Sequence, residues 1–341
     1  MGDLLYSYTG RVEKLEFTAT EADAGMRLDA AIPEHFPDIS RSRAQTLIEN
    51  GAVRVTPAGK DEALLKKNYS LKAGDSVLIT LRVRVPLKAE PEDIPLNIAY
   101  EDEDIIVIDK PKGLVVHPAP GSESGTLVNA LMYHAKESGR KLPMISGEIR
   151  PGIVHRIDKN TSGLLVVCAS DRAHHSLSEQ FAEHSVTRAY TAIAVGKMPD
   201  DEGTIDVPLG RDPQDRKRQK ALAGHGGILR AEDLPAGFRR AVTHWRMLER
   251  FAEHSLLELR LETGRTHQIR VHLAHIGRPV LGDDLYGPAR TAARNKKKGE
   301  SQYLHAGKLG FIHPATREYM EFNSPLPDGF SRKLWDFRCD V

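Results

Sequence analysis

Three stretches of this 341-residue chain combine residue types at spacings that could do chemistry. The first is His155-Arg156-Ile157-Asp158-Lys159-Asn160-Thr161-Ser162-Gly163, set between Pro151-Gly152 and the apolar run Leu164–Val167. A carboxylate at the edge of a packed apolar strand is held rigidly, the condition for attacking a substrate or stabilising its charge. An Asp ahead of Thr-Ser-Gly also commonly caps a turn, and residue types alone leave both readings open for Asp158. The second stretch, Glu262-Thr263-Gly264-Arg265-Thr266-His267-Gln268-Ile269-Arg270, offers guanidinium groups suited to a carboxylate or a phosphate. It reads equally as a helix start with surface arginines. In the third, Thr187-Arg188-Ala189-Tyr190-Thr191-Ala192, Tyr190 is a candidate contact or an ordinary strand aromatic.

Other chemistries lack their motifs. His267, His272 and His275 lie close in sequence, but neither HExxH nor a paired CxxC occurs, which argues against zinc. There is no GxxxxGK[ST] phosphate loop, and Gly224-His225-Gly226-Gly227 lacks the strand-to-helix setting such a loop needs. No GxSxG elbow is present for a hydrolase.

The elements that must position these groups alternate short strands with helices. Ile98–Tyr100 and Ile105–Asp109 flank an acidic turn and read as a hairpin. Thr126–Ala135 and Asp171–Ala182 read as helices, the latter with Leu177 and Phe181 at i, i+4. Gly163–Ala169, Ala189–Val195, Ala241–Leu248 and Ser255–Leu261 read as strands. Helices without parallel-strand framing predict an α+β domain with a mixed, largely antiparallel central sheet and flanking helices. Ahead of this, Ser40 stands as N-cap to a helix over Arg41–Glu49 that Asn50-Gly51 stops. Strands over Val53–Val55 and Ser76–Val85 follow it.

Charge divides the chain further. Lys and Arg number 48 against 47 Asp and Glu, a net charge of +1, so no global field announces nucleic acid. Locally, Ser40–Arg84 carries an excess of basic residues, and an acidic stretch runs from Glu90 to Asp104 beside Pro86, Pro91 and Pro95. That sign change at prolines predicts a linker. Arg211–Lys220 and Arg290–Lys298 read as basic, mobile loops. Two cysteines, Cys168 and Cys339, make no disulfide framework and fit a reducing compartment. With neither a signal-peptide pattern nor about 18 consecutive apolar residues, a soluble cytoplasmic protein is expected.

These stretches, in this order, resemble the RluA/RluD family of RNA pseudouridine synthases, with HRIDKNTSG as the signature segment. Ile94-Pro95-Leu96, Tyr100-Glu101-Asp102-Glu103-Asp104, Lys110-Pro111 and Leu114-Val115-Val116-His117-Pro118 resemble the family's entry strands, and Leu261–Arg270 its downstream motif. The front segment resembles an S4 RNA-binding domain through Arg27-Leu28-Asp29 and Phe36-Pro37-Asp38-Ile39-Ser40-Arg41-Ser42-Arg43. The D-type branch, which acts on large-subunit ribosomal RNA, is the nearest likeness. Ile157 and Asn160 replace the usual Leu and Asp, and Ala189 stands where charged residues are frequent.

The resemblance implies a pseudouridine synthase fold plus a small α/β S4 module. The expected division is an N-terminal extension over 1–25, the S4-like domain over 26–85, a linker over 86–97 and the catalytic domain over 98–341. It implies Asp158 as nucleophile, Tyr190 against the target base, and Arg265 in an ion pair that keeps Asp158 charged and aimed. Arg156 would fill the space left by a flipped uridine, with RNA contacts also at His155, Gln268, Arg270, Arg41 and Arg43. No cofactor or metal is implied. The expected partner of a cytoplasmic monomer is 23S ribosomal RNA, free or in an assembling large subunit. Three rivals stand beside this reading. They are a sister synthase acting on other 23S or transfer RNA uridines, a non-catalytic RNA-binding assembly factor, and a metal hydrolase built on His272 and His275.

Overall fold

In the computed structural model, the residues described are 6–59, 61, 66–86, 89–119, 121–145, 150–215, 217–222, 234–288 and 300–339. The chain forms two compact units, Met1–Leu87 and Lys88–Val341. No described helix is long and apolar enough to cross a membrane.

The small unit is a three-stranded antiparallel sheet of β1 (Tyr6–Thr18), β3 (Ser76–Pro86) and β2 (Val53–Thr56), in the order β1-β3-β2. Helices α1 (Leu28–His35) and α2 (Arg41–Glu49) complete it. Ser40 caps α2 by accepting from the Arg43 N–H at 3.4 Å, and Asn50-Gly51 ends it with Gly51 at φ 71°. Its core joins Leu28, Ile32, Ala44 and Ile48 of the helices to Val53, Val55, Val77 and Ile79 of the sheet. The unit therefore has a core of its own. Most of the stretch expected as an N-terminal extension is β1, paired with β3 from Tyr6 opposite Pro86 to Thr18 opposite Ser76 with a register shift between Tyr8 and Val12. The sequence of β1 has no regular alternation of polar and apolar residues, and its pairing partner β3 lies far downstream, so no local pattern marks it as a strand.

The large unit is built on a nine-stranded sheet. Its strands are β4 (Ile98–Glu101), β5 (Ile105–Lys110), β6 (Ser162–Cys168), β7 (Thr187–Val195), β8 (Glu202–Asp206), β12 (Val242–Arg250), β13 (His254–Leu261), β14 (Leu304–Ile312) and β15 (Tyr319–Asn323). They run in the order β4-β5-β6-β14-β7-β13-β12-β8, with β15 added to β14. Among the described strands of this sheet only β14 and β6 are paired in parallel, so the sheet is mixed and largely antiparallel, as expected. Helices α3 (Leu127–Glu137), α4 (Asp171–Ala182), α5 (Gln268–His275) and α6 (Asp328–Cys339) accompany it. A second small sheet pairs β9 (Leu209–Arg211) with β10 (Gln219–Ala221) and β11 (Phe238–Arg239).

Buried on every residue, β6 is the central apolar strand that its sequence, SGLLVVC, implies. The segment expected as a linker is partly docked on this unit. Asn129 donates to the Glu90 carbonyl at 2.7 Å, Glu92 accepts from the Gly125 N–H, and Ala89 is buried in the core around α3. The ends of the basic 211–220 segment are paired, Gln219 opposite Arg211 and Lys220 opposite Gly210. The basic 290–298 segment lies outside the described residues.

Candidate active site

Asp158 is positioned by the chain on either side of it. Gly152 turns the backbone at φ 68°, where a Cβ would stand 2.3 Å from the Cys168 carbonyl oxygen. Ile153 then bridges to Val167, and the Val166 N–H donates to His155 Nε2 at 3.0 Å. Segment 152–155 is thus laid along β6 like a short extra strand, delivering Arg156-Ile157-Asp158 to the strand's start. A turn closed by Thr161 N–H to the Asp158 carbonyl, 3.0 Å, returns the chain into β6. Gly163 permits the close parallel approach of β14: at φ 109°, a Cβ there would lie 2.2 Å from the Ala306 oxygen. Behind the loop, Lys110 is fully buried and donates to the carbonyls of Pro111, Leu114 and Lys159 at 2.8, 3.0 and 3.1 Å. Burial pushes its ammonium down to about 7 while nearby Asp158 opposes the shift. Three carbonyl acceptors are a set that only the charged ammonium fills.

The partner of Asp158 is Arg270, not Arg265. Arg270 Nη1 lies 3.0 Å from Asp158 Oδ2. Arg270 also grips Asp283, through Nε at 2.7 Å and Nη2 at 2.9 Å. The Asp283 carboxylate is itself held by the Leu285 and Tyr286 N–H groups at 2.9 Å. Burial works against this guanidinium, but Asp283 and Asp158 more than compensate and raise its pKa. Arg265 instead turns back and donates from Nε to the Arg240 carbonyl at 3.1 Å. The reason is helical geometry: Arg265 sits in the turn before α5, while Arg270 is on the buried face of the first turns. His267, at φ 57°, ends that turn with Nδ1 2.8 Å from the Tyr286 hydroxyl and Nε2 3.8 Å from Asp158. Tyr286 Oη accepts from the Gln219 N–H at 2.8 Å and pairs with His267 Nδ1, an arrangement that turns Nε2 of the imidazole toward Asp158. The Arg270 guanidinium also stacks over the Tyr286 ring at 5.1 Å.

One cleft is lined together by Arg156, Asp158, Thr161, Tyr190, Leu261, Arg265, His267, Gln268 and Arg270. The three motif stretches thus converge although they are far apart in sequence. Tyr190 comes from β7, and burial chiefly raises its phenol, with Asp158 adding to the shift and Arg188 opposing it. Arg188, two residues earlier on the same face, packs against Gly264 and over Phe181 at 5.5 Å. Its Nε and Nη2 are buried with no hydrogen-bond partner.

Two expected RNA contacts are spent on the scaffold. His155 stacks on Phe181 at 4.4 Å with Nε2 occupied, and burial drives its imidazole down to about 3. Gln268 is buried; it accepts from Thr263 Oγ1 and the Arg265 N–H and donates to the Val242 carbonyl. Both belong to motifs dense in polar groups, and a sequence does not say which of those face inward. Arg41 and Arg43 of the small unit are exposed, Arg41 leaning to 3.6 Å from Asp29. Asp283, Tyr286 and Arg188 were not anticipated. The only signal for the first pair is Gly282-Asp283-Asp284-Leu285-Tyr286-Gly287, polar and Gly-bounded after an apolar helix.

A larger concavity of about 480 Å³, around Glu202, His244, Arg246, Glu258 and Arg260, lies elsewhere on the sheet. There Arg246 and Arg260 both pair with Glu258, and His244 Nε2 lies 2.8 Å from Glu262. His272 has both nitrogens engaged, with Thr243 at 2.8 Å and the Val207 carbonyl at 2.9 Å, and it cannot ligate a metal with His275.

Residues 104–275 match the RNA pseudouridylate synthase family model, which covers all three stretches. The chain belongs to the RNA pseudouridine synthase family. It is 43% identical to the uncharacterized RNA pseudouridine synthase YlyB of Bacillus subtilis, over 96% of this chain and 99% of that one. It is 42% identical to the ribosomal large subunit pseudouridine synthase D of Zymomonas mobilis, covering 92% and 94%. Against the protein of that name from Escherichia coli the identity is 40%, with 96% of each chain covered. Among solved structures, human RNA pseudouridylate synthase domain containing 1 superposes with a TM-score of 0.53 at 25% identity, over 72% of this chain and 96% of that one. The enzyme is thus an RNA pseudouridine synthase, an isomerase of uridine in RNA.

Proposed function

We propose that this synthase modifies uridines of 23S ribosomal RNA in the large subunit, with Asp158 as its catalytic carboxylate. The observation that carries the reading is Asp158 held at 3.0 Å by the doubly anchored Arg270, in a cleft shared with Tyr190. The reaction breaks the C1′–N1 bond and forms C1′–C5. C5 gives up its proton and N1 gains one, so no atom or electron is exchanged with a second substrate. Asp158 meets the nucleotide, and Arg270 and His267 fix its direction from the protein side. The Tyr190 ring packs on the uracil. The target base has to leave its stack, at a cost of about a few kcal/mol. Arg156, exposed beside Asp158, fills the vacated space and offsets part of that cost. The small unit serves as an S4-like RNA-binding module presenting Arg41 and Arg43. The enzyme works as a monomer in the cytoplasm on free or assembling ribosomal RNA. The names of the relatives support this target, and the intact set of Asp158, Tyr190 and Arg270 disfavours a catalytically idle assembly factor.

The test is a pseudouridine map of ribosomal and transfer RNA from cells lacking the protein, complemented with wild type or Asp158→Ala. Large-subunit sites are expected to vanish and to return with wild type only. Loss confined to transfer RNA would assign a different target, and unchanged sites would overturn the proposal.

A further inference from the structure

His267 and Arg270, the two groups that face Asp158 at the start of α5, are both anchored by one short turn, Asp283–Tyr286. Asp283 grips Arg270 through Nε and Nη2 at 2.7 and 2.9 Å. Tyr286 Oη pairs with His267 Nδ1 at 2.8 Å, and its ring meets the imidazole edge-on at 5.6 Å. That pairing holds in either histidine tautomer, because a phenol donates once and accepts through two lone pairs. Burial pushes the phenol up to about 12, so it keeps its proton at neutral pH. His267 stands at φ 57°, a left-handed conformation that a residue with a side chain keeps only where its surroundings impose it. The turn itself is closely built. The Tyr286 N–H is bonded to Asp283 Oδ1 at 2.9 Å, and a Cβ on Gly287 would stand 2.3 Å from the Asp283 carbonyl oxygen.

Tyr286 also meets the small sheet. There β10 is an edge strand, in the order β10-β9-β11, and an edge leaves backbone N–H groups outside the ladder. The Gln219 N–H of this edge is taken by Tyr286 Oη at 2.8 Å. Arg218, just before β10, and Arg270 both lie over the Tyr286 ring, at 5.3 and 5.1 Å. Leu209 and Ala221 of the sheet pack with Val271 of α5 and with Tyr286. One hydroxyl thus joins the edge of the small sheet to an imidazole whose Nε2 lies 3.8 Å from Asp158. We infer that Tyr286 is a positioning residue of the isomerase, tying β10 to His267 and so setting the aim of the carboxylate from a strand outside the cleft. The inference rests on the reading of Asp158 as the catalytic carboxylate. Tyr286 does not line the cleft, so it acts through His267 and Arg270. Its hydroxyl therefore governs how fast bound RNA reacts, not how tightly RNA binds.

The test follows tritium release from RNA carrying 5-tritiated uridine, made in cells lacking the protein, because C5 loses its hydrogen as pseudouridine forms. With enzyme in excess, the saturating single-turnover rate and the enzyme concentration giving half of it are read separately. Wild type, Tyr286→Phe, Gln219→Pro, the double variant and Asp158→Asn are compared, their folding checked by thermal melts. Tyr286→Phe keeps the ring without the hydroxyl, and Gln219→Pro removes an N–H from an edge strand, where proline is tolerated. Tyr286→Phe is expected to lower the saturating rate roughly 20-fold, with the half-saturating concentration within about twofold of wild type. Gln219→Pro should lower the rate roughly fivefold, and the double variant should be no slower than Tyr286→Phe alone, since both losses pass through one hydroxyl. Hydrogen exchange at the Gln219 amide, slow in wild type and fast in Tyr286→Phe, reads the same link without a substitution in β10. A wild-type saturating rate for folded Tyr286→Phe, or a loss confined to the half-saturating concentration, overturns the positioning role. Losses that multiply in the double variant, or equal amide exchange, overturn the link to β10. Tritium release by Asp158→Asn at the wild-type rate overturns the reading of the carboxylate and the inference with it. An inactive Asp158→Asn beside a fully active Tyr286→Phe overturns the inference alone.

Discussion

At the scale of single residues, the decisive feature is one carboxylate with one correctly placed guanidinium. Asp158→Asn is expected to lower pseudouridine formation by at least about 10³-fold with little effect on RNA affinity. The two candidate arginines separate cleanly. Arg270→Lys keeps a charge but loses the fork that spans Asp158 and Asp283, so turnover should drop roughly 100-fold in single-turnover assays. Arg265→Lys, whose side chain reaches only a backbone carbonyl, should cost several-fold at most. Equal losses in the two variants would contradict the assignment. The resemblance named Arg265 as the partner of Asp158, and the structure places Arg270 there instead. That choice depends on where the turn ends and α5 begins, and an αL residue at His267 sets it. The second anchor, Asp283, lies 13 residues downstream of Arg270 in a Gly-bounded polar segment that nothing in the sequence ties to the acid.

Strands and loops carry the site through close approaches rather than through side-chain chemistry. Gly163→Ala would force a Cβ against the Ala306 backbone at a positive φ, and an expected loss of at least about 2 kcal/mol should appear in urea unfolding. A neutral effect would mean that β6 and β14 are not so tightly apposed. Lys110→Met would strip three buried carbonyls of their donor beneath the Asp158 loop, destabilising the large unit by about 3–5 kcal/mol. Stability within about 1 kcal/mol of wild type would contradict that role. At this scale the sequence was informative wherever a period or a cap was present. Helix α4 spans Asp171–Ala182 as its Leu177–Phe181 spacing predicts, and Ser40 caps α2. It was uninformative for β1, whose partner β3 lies some 60 residues away, and for the parallel contact of β6 with β14. Long-range pairing leaves no local trace.

For the whole molecule, buried neutral histidines tie stability to pH. His117 and His272 are held down to about 3 and about 4 in the folded chain, in both cases mainly by burial. Unfolded, they titrate near 6.5. Between those values the unfolded chain binds protons that the folded chain refuses, so stability falls as pH drops below about 6.5. Each fully titrating histidine contributes about 1.4 kcal/mol per pH unit in that window. Urea midpoints should therefore decline from pH 7 to pH 5, less steeply in His272→Gln; a flat profile would contradict the burial of these rings. The near-zero net charge is a property of the whole chain that concealed its function, since basic and acidic segments cancel in the sum. The central claim is that this chain isomerises uridine in RNA through Asp158. Its most direct test is mass-spectrometric mapping of a 23S transcript incubated with the purified protein. The account predicts pseudouridine at discrete sites with wild type and none with folded Asp158→Asn. Pseudouridine formed equally by both proteins would contradict it.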